Sequence, residues 1–292
     1  MGFVYELVGR PTTALNLMNI IRDKLVLAGW TLLAEGTAAD GSNYKFLRTS
    51  SYPMPDNTEA GAAVLELRNP AGTNHLDLKM WNAWDATSNQ PLPPSCPDEF
   101  NYSYLRTAYG VVTTINYWLY ANEFWFALAE HNASTGAPRS DSLYKTLAGI
   151  ALPPAGVPTA PPFKSLFVAS PYLPTGAWIP NSGNEGTRAL ISPYTNLWAY
   201  VALNPMSGRN FWSLWLHFTE ERITPIRYDG HPDLPPYLFP LFLNAVGIIP
   251  YARITGNTSF PLGTQRVIGA QTWVNIFDGH GGGHGQIWVR IA

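Results

Sequence analysis

The spacing of apolar residues changes once along this chain, from a helical period to a strand-like one. Between residues 13 and 28, Leu17, Ile21 and Leu25 recur at the spacing that places side chains on one face of a helix. Gly29 follows at the position where a left-handed residue commonly ends a helix. The sequence therefore predicts one early amphipathic helix.

The segments after this helix alternate apolar and polar residues with a period of two, which is typical of strands. The clearest are residues 44–49, 64–67 and 76–80. Residues 111–130 are the most β-like of all, and we predict a hairpin there with Asn122 in its turn. We therefore predict an α+β, mainly β fold, in which the N-terminal helix packs on an antiparallel sheet and a second β-rich, loop-rich part follows.

Five prolines between Leu152 and Pro162 interrupt this pattern, because proline fixes φ and removes a backbone donor. A segment of this composition favours a stiff, extended connector. We predict an N-terminal helix-plus-sheet domain at 1–151, a Pro-rich linker at 152–162 and a C-terminal β-rich domain at 163–292. In the last part, strands are predicted at residues 197–203, 211–218, 222–228, 251–255, 265–268, 272–277 and 286–291, with a long irregular loop at 229–240.

Low charge and high aromatic content bear on the expected partners. Charged residues make up 13% of the chain, and Trp, Tyr and Phe together also make up 13%. Such a chain is expected to expose apolar patches, which usually mark contact surfaces, although an aromatic-rich β core would also account for the rings. The net charge is −2 and no basic stripe is present, so protein partners are expected and nucleic acid is not.

The single cysteine, Cys96, excludes an internal disulfide framework and indicates assembly in a reducing compartment. The chain opens without a signal-peptide pattern, and no apolar run reaches the roughly 20 residues that a membrane-spanning helix needs. We therefore expect synthesis and assembly in a cytoplasm, without membrane insertion.

One local motif offers metal-ligand chemistry, the glycine-rich loop from Asp278 to Gly285. The imidazoles of His280 and His284 and the carboxylate of Asp278 suit zinc or nickel, which leaves a metal-dependent hydrolase as one hypothesis. However, one loop supplies at most three ligands, and ordering a run of glycines is costly in entropy. We prefer a turn between two strands, and we assign no metal and no cofactor.

Signals for other enzyme classes are weak. The chain has no Gly-x-Ser-x-Gly nucleophile elbow. Its acidic pairs, Asp98 with Glu99 and Glu220 with Glu221, are adjacent in sequence rather than opposed across a site. We therefore predict that the protein is not an enzyme and assign no catalytic residue.

Tryptophans offer a function of a different class, because flat aromatic faces pack against the apolar faces of sugars. Burial in strands explains most of them more simply. A glycan nevertheless stays a potential partner, and the alternative function is a carbohydrate-binding adhesin or receptor-binding module. The candidate rings are Trp81, Trp84, Trp118, Trp125, Trp198, Trp212 and Trp215.

Several stretches in a fixed order carry a family resemblance. The helix ends in the step Gly29-Trp30-Thr31, and the aromatic run 117–126 is followed by Leu-Ala-Gly-Ile at 147–150. Residues 243–253 and 269–277 form the closing segments. This order resembles a diverse group of tailed-bacteriophage virion structural proteins encoded among head-tail joining, tail and baseplate genes, in which paired strands lead to a glycine-containing turn.

The resemblance implies a structural subunit that is present in several copies and carries no catalytic residues. Such a subunit contacts copies of itself and other phage structural proteins through apolar and backbone contacts. We therefore expect a virion protein on the tail side of the particle, at the neck, tail or baseplate.

Overall fold

The structure is a computed structural model, and it describes one helix and twenty-one strands. The described residues are 2–53, 59–60, 62–95, 102–103, 116–131, 145–151, 165–169, 187–191, 198–199, 237–238, 247–248, 250–254, 261–278 and 286–292. The helix is α1 (Ala14–Leu27). The strands are β1 (Val4–Gly9), β2 (Thr31–Thr37), β3 (Asn43–Arg48), β4 (Tyr52–Pro53), β5 (Glu59–Ala60), β6 (Val64–Asn69), β7 (Asp77–Asp85), β8 (Gln90–Ser95), β9 (Tyr102–Ser103), β10 (Tyr117–Ala121), β11 (Trp125–Glu130), β12 (Lys145–Ala151), β13 (Ser165–Ala169), β14 (Thr187–Ile191), β15 (Trp198–Ala199), β16 (Tyr237–Leu238), β17 (Gly247–Ile248), β18 (Ala252–Ile254), β19 (Gln265–Ile268), β20 (Gln271–Asp278) and β21 (Gln286–Arg290).

The described strands form three larger sheets and two small ones, and their pairings are antiparallel. The seven-stranded sheet has the order β1-β10-β11-β12-β13-β14-β15. The six-stranded sheet has the order β2-β3-β6-β7-β8, with β9 beside β7, and the four-stranded sheet has the order β18-β21-β20-β19. β4 pairs with β5, and β16 with β17. The described part of the chain is therefore mainly β, with one helix packed on antiparallel sheets, as the sequence predicts.

The predicted helix is confirmed, and side-chain caps define where it begins. The backbone N–H of Asn16 donates to Oγ1 of Thr13 at 2.9 Å, so Thr13 is the N-cap. In return, Oδ1 of Asn16 accepts from the backbone N–H of Thr12 at 3.1 Å. The first bond satisfies a backbone donor that a helix start leaves unpaired, and the second ties the residue before the cap to the first turn.

A Schellman motif ends the helix. Gly29 has a φ of +108°, and its N–H donates to the carbonyl of Val26 at 3.0 Å. The N–H of Trp30 reaches back to the carbonyl of Leu25 at 2.9 Å. The glycine predicted at the helix end therefore supplies the left-handed conformation that turns the chain into β2.

The helix contacts two of the three larger sheets. It touches β2, β3 and β6 of the six-stranded sheet and β1 and β10 of the seven-stranded sheet. Ion pairs flank this contact: Lys24 reaches Glu6 on β1 at 2.6 Å, and Arg22 reaches Glu35 on β2 at 2.6 Å. The helix residues that face the core are Ala14, Leu17, Met18, Ile21 and Leu25. They pack in one hydrophobic core with residues of all three larger sheets.

The β10–β11 hairpin connects the helix side of the molecule to its C-terminal strands. Asn122 lies in the turn, as predicted, and its Oδ1 accepts from the backbone N–H groups of Phe124 at 2.8 Å and Trp125 at 3.1 Å. The indole of Trp30 donates to the carbonyl of Asn122 at 2.7 Å, and the indole of Trp125 donates to the carbonyl of Pro250 at 2.7 Å. Separate parts of the chain therefore meet at this turn.

Two expectations about irregular segments are wrong. Gly149 lies within β12 rather than in a turn, where it pairs with Trp125, and the two strands are so close there that a side chain would not fit. The proline content of residues 229–240 predicts only a loop, yet Tyr237–Leu238, free of proline, pairs with β17. The other residues of that segment lie outside the described part of the chain.

Strands on either side of the Pro-rich segment are neighbours in one sheet. β12 pairs with β13 in a register that places Ala151 opposite Ser165. The predicted linker, 152–162, lies outside the described residues, and the predicted parts 1–151 and 163–292 contribute strands to the same seven-stranded sheet. Their folding as separate units stays a prediction.

The predicted strands near the C-terminus are confirmed as β18, β19, β20 and β21. Of the strand predicted at 197–203, the structure describes Trp198–Ala199 as β15. The strands predicted at 211–218 and 222–228 lie outside the described residues.

Candidate functional site

A cleft of about 350 Å³ lies on one face of the six-stranded sheet. Leu65 and Leu67 of β6, with Leu78 and Met80 of β7, are buried in the core that contains the helix. Because successive side chains of a strand point to opposite faces, the intervening residues lie on the outer face. The lining of the cleft includes Phe46, Glu66, Arg68, Asp77, Lys79 and Trp81.

Charges of opposite sign face each other across β6 and β7. The strand register places Glu66 opposite Lys79 and Arg68 opposite Asp77. Cross-strand pairs of this kind stabilise a sheet. The four side chains form an alternating square with no net charge when all are ionised.

Glu66 is held in a fixed orientation. Its side chain is 10% exposed, and its Oε2 accepts from the indole N–H of Trp81 at 2.9 Å. The guanidinium of Arg68 lies 3.9 Å from Oε1 of Glu66 and 2.5 Å from Oδ2 of Asp40. The carboxylate of Glu66 therefore lies beside a cation and presents one oxygen that accepts no close hydrogen bond from the described residues.

Asp77 is an acid of the cleft whose pKa is raised. Burial raises the pKa of Asp77 to about 7, with nearby Glu66 raising it further and nearby Arg68 opposing that increase. Its Oδ1 accepts no hydrogen bond from the described part of the chain, and Nε2 of His75 lies 3.8 Å away. Asp77 is thus a buried acceptor that changes charge near neutral pH.

The pKa of Asp77 predicts a pH dependence of stability. Because the folded pKa, about 7, exceeds the usual value of 3.8, the native state binds more protons between these pH values, and the free energy of unfolding falls as pH rises from about 4 to about 7. We expect Asp77→Asn to remove part of this decrease, so that the variant gains stability relative to the wild type as pH rises. Urea denaturation at several pH values measures this difference. A constant difference between pH 4 and 8 would contradict it.

Aromatic rings line the cleft and continue beside it. The ammonium of Lys79 lies 4.9 Å from the ring centroid of Trp81. The ring centroid of Phe46 lies 5.2 Å from that of Trp84 and 5.6 Å from that of Tyr44. Apolar ring surface and polar groups therefore occur side by side on this face.

Trp118 and Trp125 lie away from this surface. Trp125 is buried, and its indole bonds the carbonyl of Pro250. Trp118 stacks on Tyr5 with ring centroids 4.7 Å apart and planes 16° apart. The side chain of Trp198, and all of Trp212 and Trp215, lie outside the described residues. Among the described candidate rings, Trp81 lines the cleft, and Trp84 packs against Phe46 beside it.

The glycine-rich loop joins two neighbouring strands. β20 ends at Asp278 and β21 begins at Gln286, and these two residues pair in the four-stranded sheet. Residues 279–285, with His280 and His284, lie outside the described residues, so metal binding by this loop stays a hypothesis. Within the described ranges, no group of three or more His, Cys, Asp and Glu residues is placed to hold a metal ion.

The cysteine and the adjacent acidic pairs also lie outside the described ranges. These residues are Cys96, Asp98, Glu99, Glu220 and Glu221.

The sequence predicts strands β6 and β7 but not the charged square between them. The sequence signal for these strands is the alternation of polar and apolar residues. Glu66 lies between Leu65 and Leu67, and Asp77 precedes Leu78. Alternation indicates which residues share a face of one strand, but it does not give the register that brings two strands together. The cleft could therefore not be predicted from the spacing alone.

No family model matches this chain, and no curated protein matches it. In the described part of the chain, no helix is long and apolar enough to cross a membrane.

Proposed function

We propose that this protein is a structural subunit of a tailed-phage virion, on the tail side of the particle at the neck, tail or baseplate. It acts by contacting copies of itself and other structural proteins. The proposal includes assembly in the host cytoplasm and no enzymatic activity.

The observation that carries the assembly role is an exposed apolar residue on the edge of a sheet. β19 is the outermost strand of the four-stranded sheet and pairs only with β20 among the described strands. Val267, in the middle of β19, is 73% exposed. An edge strand offers unpaired backbone groups to another chain, and a β-branched residue on it adds apolar contact. This edge is therefore suited to a neighbouring subunit.

A second apolar surface lies at the end of the helix. Leu27 is 65% exposed and Val26 is 43% exposed. Singly exposed aliphatic residues are ordinary, but two adjacent ones beside a helix end add to the contact area that an assembled subunit can bury. Both surfaces support a role that depends on neighbours.

The resemblance to phage structural proteins supplies the proposed kind of assembly. The helix with its Gly29-Trp30-Thr31 end, the aromatic hairpin β10–β11 and the closing strands β18 and β20 carry that resemblance, and residues from all of them pack in one core. This packing supports the idea that the matching stretches form one structural unit.

Immunogold electron microscopy on phage particles from the source culture tests the proposal. An antibody raised against this chain is expected to label one axial site on the tail side, with pre-immune serum as the control. Labelling should be repeated on partially disrupted particles, because an assembled subunit can hide its epitopes. Absence of label from both intact and disrupted particles, with strong labelling of the purified chain, would overturn the proposal.

A further inference from the structure

We infer that the cleft on the outer face of the six-stranded sheet is a binding site for a neutral carbohydrate. The inference rests on Glu66, Asp77, Trp81 and Phe46, and it is independent of the assembly role, since none of these residues lies on β19 or at the helix end.

The balance of charge in the cleft favours a neutral ligand that is rich in hydroxyl groups. Glu66 and Asp77 accept hydrogen bonds, while Arg68 and Lys79 donate them, and each acid faces a base across the two strands. Above about pH 7, where Asp77 is ionised, an ion of either sign would be attracted by one pair of groups and repelled by the other. A hydroxyl group both donates and accepts, so a polyol can satisfy acids and bases together.

One carboxylate oxygen of the cleft is placed to accept from such hydroxyl groups. Oε1 of Glu66 accepts no close hydrogen bond from the described residues, and the guanidinium of Arg68 lies 3.9 Å from it. Asp77 also lines the cleft, but its Oδ1 is buried and lies 3.8 Å from Nε2 of His75. A ligand hydroxyl that donates to Oε1 of Glu66 would supply a bond that the fold leaves open.

Aromatic rings in the cleft supply the apolar contacts that carbohydrate recognition needs in addition to hydrogen bonds. The C–H groups on one face of a sugar ring are apolar and pack against flat aromatic rings, and both Phe46 and Trp81 line the cleft. Ligand sites commonly combine apolar walls with a few fixed polar groups, and a cleft of about 350 Å³ falls within their usual size.

The groups of the cleft are held in place before any ligand arrives. The indole of Trp81 is fixed by its 2.9 Å bond to Glu66 and by the ammonium of Lys79 near its ring. Phe46 is flanked by the rings of Tyr44 and Trp84. Side chains that are already ordered lose little entropy on binding, which favours measurable affinity for a small ligand.

Titration of the full chain with neutral, acidic and amino oligosaccharides tests the site, with binding measured by calorimetry after an array screen. At pH 8, where Asp77 is ionised, we expect at least one neutral oligosaccharide to bind and acidic ones to bind more weakly. Trp81→Ala is expected to weaken binding of that neutral probe by about tenfold or more, because it removes ring contact and a fixed partner of Glu66. Trp118→Ala, which removes a tryptophan from a different sheet, is the matched control and should retain the affinity.

A second variant keeps the test decisive if Trp81→Ala fails to fold. Asp77→Leu removes a carboxyl group that lines the cleft and leaves no buried charge, so it is expected to stay folded and to lose about tenfold or more in affinity. The inference is overturned if no neutral probe binds the wild-type chain, if acidic probes bind more tightly, or if both cleft variants bind as the wild type does. None of these results would change the labelling expected on phage particles.

Discussion

Replacing Ile21 with aspartate is expected to unfold the part of the protein that is built around α1. The side chain of Ile21 is 1% exposed and packs in the core between the helix and the sheets. The nearest cations along the helix, Arg22 and Lys24, are already paired with Glu35 and Glu6. A buried carboxylate without a partner costs about 3–5 kcal/mol, a large share of the stability of a typical domain.

Circular dichroism and thermal denaturation measure the effect of Ile21→Asp. We expect loss of the cooperative transition or a large decrease in its midpoint. Leu27→Asp is the control, because Leu27 lies on the same helix but is 65% exposed, and a charge there is expected to cost about 1 kcal/mol or less. If the two variants unfolded at similar temperatures, the assignment of the buried helix face would be wrong.

Replacing Gly149 with alanine is expected to separate two strands in the middle of the seven-stranded sheet. A Cβ atom on Gly149 would lie 2.3 Å from Cβ of Trp125 and 2.5 Å from the carbonyl oxygen of Phe124. The N–H of Ile150 donates to that same carbonyl at 3.0 Å, so the strands cannot move apart without loss of a hydrogen bond. We expect a decrease of about 3 kcal/mol or more in the free energy of unfolding.

Urea denaturation of Gly149→Ala provides this measurement, with Gly269→Ala as the matched control. Gly269 has a φ of +59°, and a Cβ atom there would meet nothing within 4 Å. Its substitution therefore costs only the strain of a left-handed backbone, about 1–2 kcal/mol. Equal losses in the two variants would show that β11 and β12 do not approach as closely as described.

Local chemistry explains which elements could be predicted. The helix follows from the spacing of Leu17, Ile21 and Leu25, and its end follows from Gly29. The hairpin turn follows from Asn122, whose short amide side chain bonds backbone groups two and three residues ahead. In each case the residues that determine the structure are close neighbours in the sequence.

Two strands show why other elements could not be predicted. β8 contains Pro91, Pro93 and Pro94, which argue against a strand, yet it lies at the edge of the six-stranded sheet, where proline is tolerated. β1 lies only a few residues before Pro11, and its partner β10 begins at Tyr117. Because more than a hundred residues separate the two strands, the sequence near β1 does not indicate its partner.

The sequence by itself determined the early helix with the glycine at its end, the strand-like alternation of side chains after it and the mainly β class, because side-chain period and backbone capping act over a few residues. Only the tertiary structure decided that β1 pairs with β10, that strands from both sides of the Pro-rich segment share one sheet, and that Glu66 faces Lys79 beside Trp81. Strand partners and register depend on how much apolar surface segments far apart in the sequence bury together. This gain must exceed the entropy lost when the loops between the segments close. The cleft is a product of that selection, and so its residues could be named only after the strands were placed side by side.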